Sequence, residues 1–297
     1  MNTLLKTIYN LIPFKRQFYS TLKKIWKPKQ SIYRHLHFRG VFTVHVNETK
    51  KFKIKHYGYE IENEIFWAGL TNGWEKESIK LWMKLCETSE IIFDIGANTG
   101  VYSLIAKTVN PNAKVYAFEP VSRVFAKLKE NIALNNFDII PIQKAVSNTD
   151  GTAIIYDTYS EHIYSVTVNK NLCSPETKVI ETQIDTVTLN SFIRQNNIKK
   201  VDLMKIDVET HEPEVLQGFS YYLFQFKPTM LIEILNNEVG EKVNNIIQGL
   251  DYLYFNIDEK GSIRQVDKIT KSDYFNYLLC NIDIATKLGL INKKNGL

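Results

Sequence analysis

The hydrophobic positions of this chain change their period twice. Over residues 1–30 the pattern is helical but broken. Leu4, Ile8, Leu11 and Ile12 recur at helical spacing, Pro13 interrupts them, and Phe18, Leu22, Ile25 and Trp26 resume the pattern. Pro28, between Lys27 and Lys29, ends this arm. Residues 32–66 alternate instead: Phe42, Val44 and Val46 are separated by Thr43 and His45, and Phe52-Lys53-Ile54-Lys55 behaves alike, which predicts strands. An aromatic, glycine-containing loop is expected over residues 66–75. A helix then follows from Lys76 to about Glu87, built on Ile79, Leu81, Trp82 and Leu85.

From residue 90 onward, short apolar runs take turns with helical patterns. Strands are predicted at 91–93, 115–118, 139–142, 201–206 and 230–234, and helices near 101–109, 122–135, 189–195, 213–219 and 238–250. Two more strands are expected at 252–257 and 277–282, and shorter β-like runs at 152–156 and 179–184. Strands alternating with helices of this length predict a parallel sheet covered on both faces. The change of pattern divides the chain into an N-terminal extension, residues 1–88, and an α/β domain, residues 89–297.

Composition narrows the class. The 297 residues are 44% hydrophobic and 23% charged, proportions that exclude a disordered or collagenous chain. No run of about 18 apolar residues is present, which excludes a membrane-spanning helix. Asn10, Pro13 and Lys15 interrupt what would be the apolar core of a secretory signal, so none is expected. Cys86, Cys173 and Cys280 are odd in number and far apart, which argues against disulfides or structural zinc and for a reducing, cytoplasmic compartment.

Charge changes the picture of the arm alone. Residues 1–40 hold nine Lys or Arg and no acid, while residues 41–297 hold 28 basic and 32 acidic groups. A basic arm on an otherwise acidic chain suits peripheral contact of residues 1–30 with the anionic inner face of a membrane, or plain packing and self-association. No nucleic-acid partner is expected.

Three motifs carry chemistry. The first is a strand leading into Asp94-x-Gly96-x-x-x-Gly100 and then a helix; the glycines let the backbone turn sharply and approach a ligand. A dinucleotide fingerprint would have a glycine where this chain has Asn98, which weakens a pyrophosphate reading. The second is Glu119, at the carboxyl end of the next strand, an acid suited to accept hydrogen bonds from both ribose hydroxyls of an adenosine. The third is the run from Val201 to Glu212, which puts Asp207, Glu209 and His211 just beyond a central strand end. These three are the candidate catalytic residues, His211 first as general base because its unperturbed pKa of about 6.5 suits proton abstraction. The competing reading is helix capping by His211 and first-turn acids at Glu212 and Glu214. Spaced along an extended loop, Asp207, Glu209 and His211 need not converge, so no metal is expected.

The runs FDIGANTGVYSLIA, VYAFEP and DLMKIDVETHEPEVLQG, in that order and spacing, resemble the FkbM family of S-adenosylmethionine-dependent methyltransferases. The resemblance covers about residues 90–235. It implies a Rossmann-like class I methyltransferase fold, with a seven-stranded, mostly parallel sheet and helices on both faces. It implies S-adenosylmethionine as cofactor, held by Asp94, Gly96, Ala97, Asn98, Thr99 and Gly100, by Tyr102 on the following helix, by Glu119 and Pro120, and by Lys144-Ala145-Val146 near the adenine. It points to O-methylation of a sugar or glycan, such as a surface polysaccharide, or of a natural product. Many family members have Gly where this chain has Thr210. Phe66, Trp67 and Trp74 are suited either to stack on a sugar face or to pack in a core. A non-catalytic adenosine-binding or membrane-adaptor protein is the alternative, since cofactor motifs report binding and not turnover.

Overall fold

A computed structural model describes residues 13–158 and 179–291 of the chain. Cys173 and the first helical piece, Leu4–Ile12, lie outside the described residues. The chain divides into two compact units, Met1–Lys76 and Glu77–Leu297.

The first unit contains α1 (Lys15–Ile25), α2 (Gln30–Tyr33), β1 (Gly40–His45), β2 (Lys51–His56) and α3 (Glu60–Ala68). β1 and β2 form an antiparallel hairpin in which Phe42 pairs Ile54 and Val44 pairs Phe52, all four buried. The side chain of Asn47 organises the turn, its Oδ1 accepting from the backbone N–H of Thr49 at 3.0 Å and of Lys50 at 2.7 Å.

α3 replaces the strand and loop expected over residues 60–68. Its buried set mixes Glu62, Asn63 and Glu64 with Ile65, Phe66 and Trp67, so polar residues at core-facing positions hide the helical period. Of these polar groups Asn63 and Glu64 are paired, as burial requires. Tyr33 donates to Glu64 Oε2 at 2.7 Å, Gln30 donates to Glu64 Oε1 at 2.8 Å, and Asn63 donates to the Tyr33 carbonyl at 2.7 Å. Phe66 and Trp67 are 5% and 6% exposed and pack with Tyr19, Phe38 and Phe42, so the packing alternative holds for both and neither is available to stack on a sugar.

The second unit runs α4 (Lys76–Cys86), β3 (Ile91–Ile95), α5 (Val101–Val109), β4 (Lys114–Phe118), α6 (Ser122–Ala133), β5 (Ile140–Ile142), β6 (Ala145–Val146), β7 (Gly151–Thr158), β8 (Val179–Val187), α7 (Leu189–Gln195), β9 (Leu203–Ile206), α8 (Glu212–Gln217), α9 (Ser220–Phe226), β10 (Thr229–Glu233), α10 (Asn237–Ile247), β11 (Leu253–Asp258), β12 (Ser262–Val266), β13 (Asn276–Cys280) and α11 (Ile282–Lys287). The main sheet has the order β12-β11-β13-β10-β9-β3-β4-β5. From β5 to β10 the pairs are parallel, and β13 runs antiparallel to both of its neighbours. This is the Rossmann-like α/β arrangement expected, with eight strands instead of seven. The added strand, β12, pairs antiparallel with β11 at the sheet edge, where a half-exposed sequence leaves no continuous apolar run to announce it. A separate three-stranded sheet, β6-β8-β7, packs Ile155 and Ile184 against Val121 and Val124.

Winding places the site. The chain starts in mid-sheet at β3, steps outward through β4 to β5, then returns to β9 on the other side of β3 and steps away to β10. Right-handed crossovers therefore put the helices of the two halves on opposite faces. The reversal between β3 and β9 is a topological switch point, where the carboxyl ends of the strands open a crevice. Between the layers, Phe93, Tyr116, Phe118 and Phe192 pack edge to face and fix the strands.

Candidate cofactor site and active site

β3 and β9 pair in register, Asp94 opposite Lys205 and Ile95 opposite Ile206, so the turns that leave them start side by side. The first turn bends at Gly96, whose φ is +80°. A Cβ at residue 96 would lie 1.8 Å from the carbonyl oxygen of Asp207, so only glycine lets the two turns meet. Gly100, at φ +93°, is the N-cap of α5, and a Cβ there would lie 2.6 Å from Leu128.

The turn spends its backbone donors internally. Gly96 and Ala97 both donate to the Phe118 carbonyl, at 3.1 and 2.9 Å, and Gly100 donates to the Ala97 carbonyl at 2.8 Å. Asn98 donates to Glu119 Oε2 at 3.1 Å. Buried acceptors beside it are left over: Asp94 Oδ1 and Asn98 Oδ1 have no hydrogen-bond partner. A pyrophosphate would need the donors. A ligand bearing ammonium or hydroxyl groups would satisfy the acceptors.

Glu119 is buried at the end of β4, its second oxygen accepting from the backbone of Val121 at 2.9 Å. Burial pushes its pKa up to about 7, against the pull of these two N–H donors and of Arg123. Asp94 is also raised by burial; nearby Lys205 and the Ser103 hydroxyl, which donates to Oδ2 at 2.6 Å, act the other way. Among the other predicted contacts, Thr99 is buried and its carbonyl accepts from Asn131 at 2.8 Å. Tyr102 is buried with its ring against Trp82, 5.3 Å between centroids, and beneath Lys205. Pro120 is half-buried, Lys144 is exposed and Ala145 begins β6.

The third motif separates into two groups. Asp207 joins the cofactor turn: its Oδ2 lies 2.6 Å from Lys205 Nζ, which in turn stands 4.6 Å over the Tyr102 ring. His211 sits elsewhere, with Nε2 3.0 Å from Ser147 Oγ and Nδ1 3.5 Å from Glu214 Oε2. It occupies the N-cap position of α8 but its side chain makes no capping bond. Burial lowers its pKa, with Glu214 opposing, so the neutral ring is favoured at neutral pH. Glu214 at Nδ1 suits the tautomer that leaves Nε2 as acceptor. Glu209 and Thr210 complete the turn at left-handed φ of 55° and 79°. Among the described residues, no three His, Cys, Asp or Glu are grouped so as to hold a metal ion.

Residues 94–261, more than half of the chain, match the Methyltransferase FkbM domain. The chain belongs to the FkbM methyltransferase family. It is 28% identical over 146 residues to the hexuronic acid methyltransferase AglP of Haloferax volcanii, an alignment covering 49% of this chain and 56% of that protein. It is 27% identical over 153 residues to the 31-O-demethyl-FK506 methyltransferase FkbM of Streptomyces tacrolimicus, covering 43% and 59%. It is 24% identical over 162 residues to Methyltransferase 1 of Beauveria bassiana, covering 50% and 65%. The chain thus spans less than two thirds of these relatives' lengths. Within this FkbM-family chain, Thr210 stands at a left-handed φ of 79°, a conformation in which a β-branched residue is strained.

Sequence reasoning passed over Lys205, Ser103, Ser147 and the burial of Glu212. Glu212 is wholly buried, accepts from the Val208 backbone at 3.1 Å through Oε1, and leaves Oε2 without a partner. Its pKa is raised to about 8, chiefly by burial. The available signal was Lys205 itself, a single cation inside the otherwise apolar run of β9. Ser103, Ser147 and Glu212 carried none, being common residues at ordinary spacing.

Proposed function

We propose that this chain O-methylates a hydroxyl of a sugar, glycan or natural product, using S-adenosylmethionine. The observation that carries the reading is the turn with its donors spent and its acceptors unpaired. Asp94 Oδ1 and Asn98 Oδ1, with Glu119 next to them, suit a cationic ligand rich in N–H and O–H donors and not a phosphate. Bound there, S-adenosylmethionine supplies a sulfonium-activated methyl group.

The rest falls to the protein. Asp94, kept in place by Ser103, would accept from the ligand's ammonium group, and Glu119 from its ribose hydroxyls. Lys205 offsets the charge of Asp94 and Asp207 where they crowd together. His211, neutral and with Nε2 facing Ser147 Oγ, is the base proposed to take the acceptor hydroxyl's proton once that hydroxyl replaces the serine at Nε2, a role worth roughly 10²–10⁴-fold. Asp207 is tied to Lys205 and is the weaker candidate; Glu209 follows it in the same loop. Holding the acceptor oxygen in line would supply much of the remaining acceleration.

The names of the relatives support an oxygen acceptor, one being named for a hexuronic acid and one for a 31-O-demethyl compound. The test is transfer of a labelled methyl group from S-adenosylmethionine to a panel of hexuronic-acid glycans and hydroxylated natural products. Label that survives mild alkali supports an ether on a hydroxyl. Label released by alkali would mean an ester and overturn the hydroxyl assignment, and no transfer to any acceptor would favour a binding protein.

A further inference from the structure

α1 presents an outward stripe that none of the described residues of the first unit covers. The helix is fastened on one side: Tyr19 is buried against Trp67 and Phe38, Lys23 Nζ donates to the Phe66 carbonyl and lies 5.1 Å over the Phe66 ring, and Arg16 donates to the Val41 carbonyl at 3.0 Å. On the other side Phe18 and Ile25, seven apart, fall on one line along the helix, and Phe14 stands at its N-cap. Phe14, Phe18 and Ile25 are 74%, 62% and 83% exposed. Single exposed apolar residues are ordinary, but three on a helix of 11 residues and its cap are not.

Charge says what would cover them. α1 has no acid in its first turn and carries Lys23 and Lys24 in its last, and residues 1–40 contain no acid at all. Lys24 and Lys27 are exposed at the end of the helix that carries Ile25. An apolar partner surface lined with negative charge meets both requirements at once.

We infer that α1 docks on an anionic lipid bilayer, with Phe14, Phe18 and Ile25 entering between the headgroups and Lys24 and Lys27 at the phosphates. Binding then depends on both components, so it weakens with salt and with loss of the stripe.

The test is co-sedimentation of the full chain with vesicles of phosphatidylcholine alone and of phosphatidylcholine mixed with phosphatidylglycerol. The expected result is binding to the mixed vesicles only, reduced by salt, and reduced about tenfold or more in the Phe18→Glu, Ile25→Glu double variant. Both side chains are exposed, so that variant should keep the parent melting temperature. No binding to mixed vesicles, or equal binding by the variant, would overturn the inference. So would a parent that binds single-stranded nucleic acid and not vesicles, or one that is dimeric and becomes monomeric in the variant. None of these results depends on methyl transfer.

Discussion

The carbonyl oxygen of Asp207 occupies the space that a side chain at Gly96 would need, 1.8 Å from the position of its Cβ. The end of β3 and the end of β9 are thereby locked backbone to backbone, and the acids Asp94 and Asp207 are delivered to one place. This contact is the foundation of the site.

Gly96→Ala should therefore cost more than backbone strain. Gly249 has a similar φ of +82° with nothing within 4 Å of its Cβ position, so Gly249→Ala measures strain alone, about 1–2 kcal/mol. Gly96→Ala should exceed it by about 1–3 kcal/mol from overpacking, read by denaturant titration of both variants. Equal losses would mean the two turns are free to separate.

His211→Ala should lower turnover roughly tenfold or more while leaving cofactor affinity unchanged. Because burial lowers the histidine's pKa, the neutral base persists to more acid pH, and the acid limb of kcat/KM should lie below about 6.5. The variant should lose that limb. A limb that survives in His211→Ala belongs to another group.

Glu212→Gln separates a buried acid from a buried amide. The folded-state pKa of about 8 lies above the ordinary value of 4.5, so between these the native state holds a proton that the unfolded state releases. Stability must then fall as pH rises through that window, by on the order of 1 kcal/mol per unit at most. Glu212→Gln keeps the acceptor for Val208 N–H and should flatten this slope in thermal melts from pH 5 to about 8. An unchanged slope would place the proton elsewhere.

Thr210→Gly should stabilise the chain. Relief of a β-branched residue at φ 79° is worth about 1–3 kcal/mol, and the added freedom of the unfolded chain returns up to about 1. A net gain of about 1 kcal/mol, or a few degrees in Tm, is expected. A lower Tm would show that the threonine side chain contributes more than its backbone costs.

Legibility followed the physics of burial. β3, its turn and α5 could be read because an apolar run, two glycines forced by left-handed φ and an amphipathic segment succeed one another without exception, and α5 spans the expected Val101–Val109. α3 was hidden because Glu62, Asn63 and Glu64 are buried with the apolar set. α9 was missed for the opposite reason: Tyr221 and Phe224 are exposed, so apolar residues ring the helix and leave no stripe. In the site, residue types and strand ends were readable, while partnership was not. That Asp207 turns to Lys205 and His211 to Ser147 and Glu214 follows from chain crossings 64 residues apart for His211 and Ser147, which no local pattern encodes.

Calorimetric titration of the full chain with S-adenosylmethionine, with NAD in parallel and with Glu119→Ala as the comparison, reads the cofactor site itself. Heat is expected from S-adenosylmethionine alone, with affinity reduced about tenfold or more in the variant, since the ribose would lose a carboxylate acceptor. Binding of NAD, or S-adenosylmethionine affinity unchanged by Glu119→Ala, would contradict it.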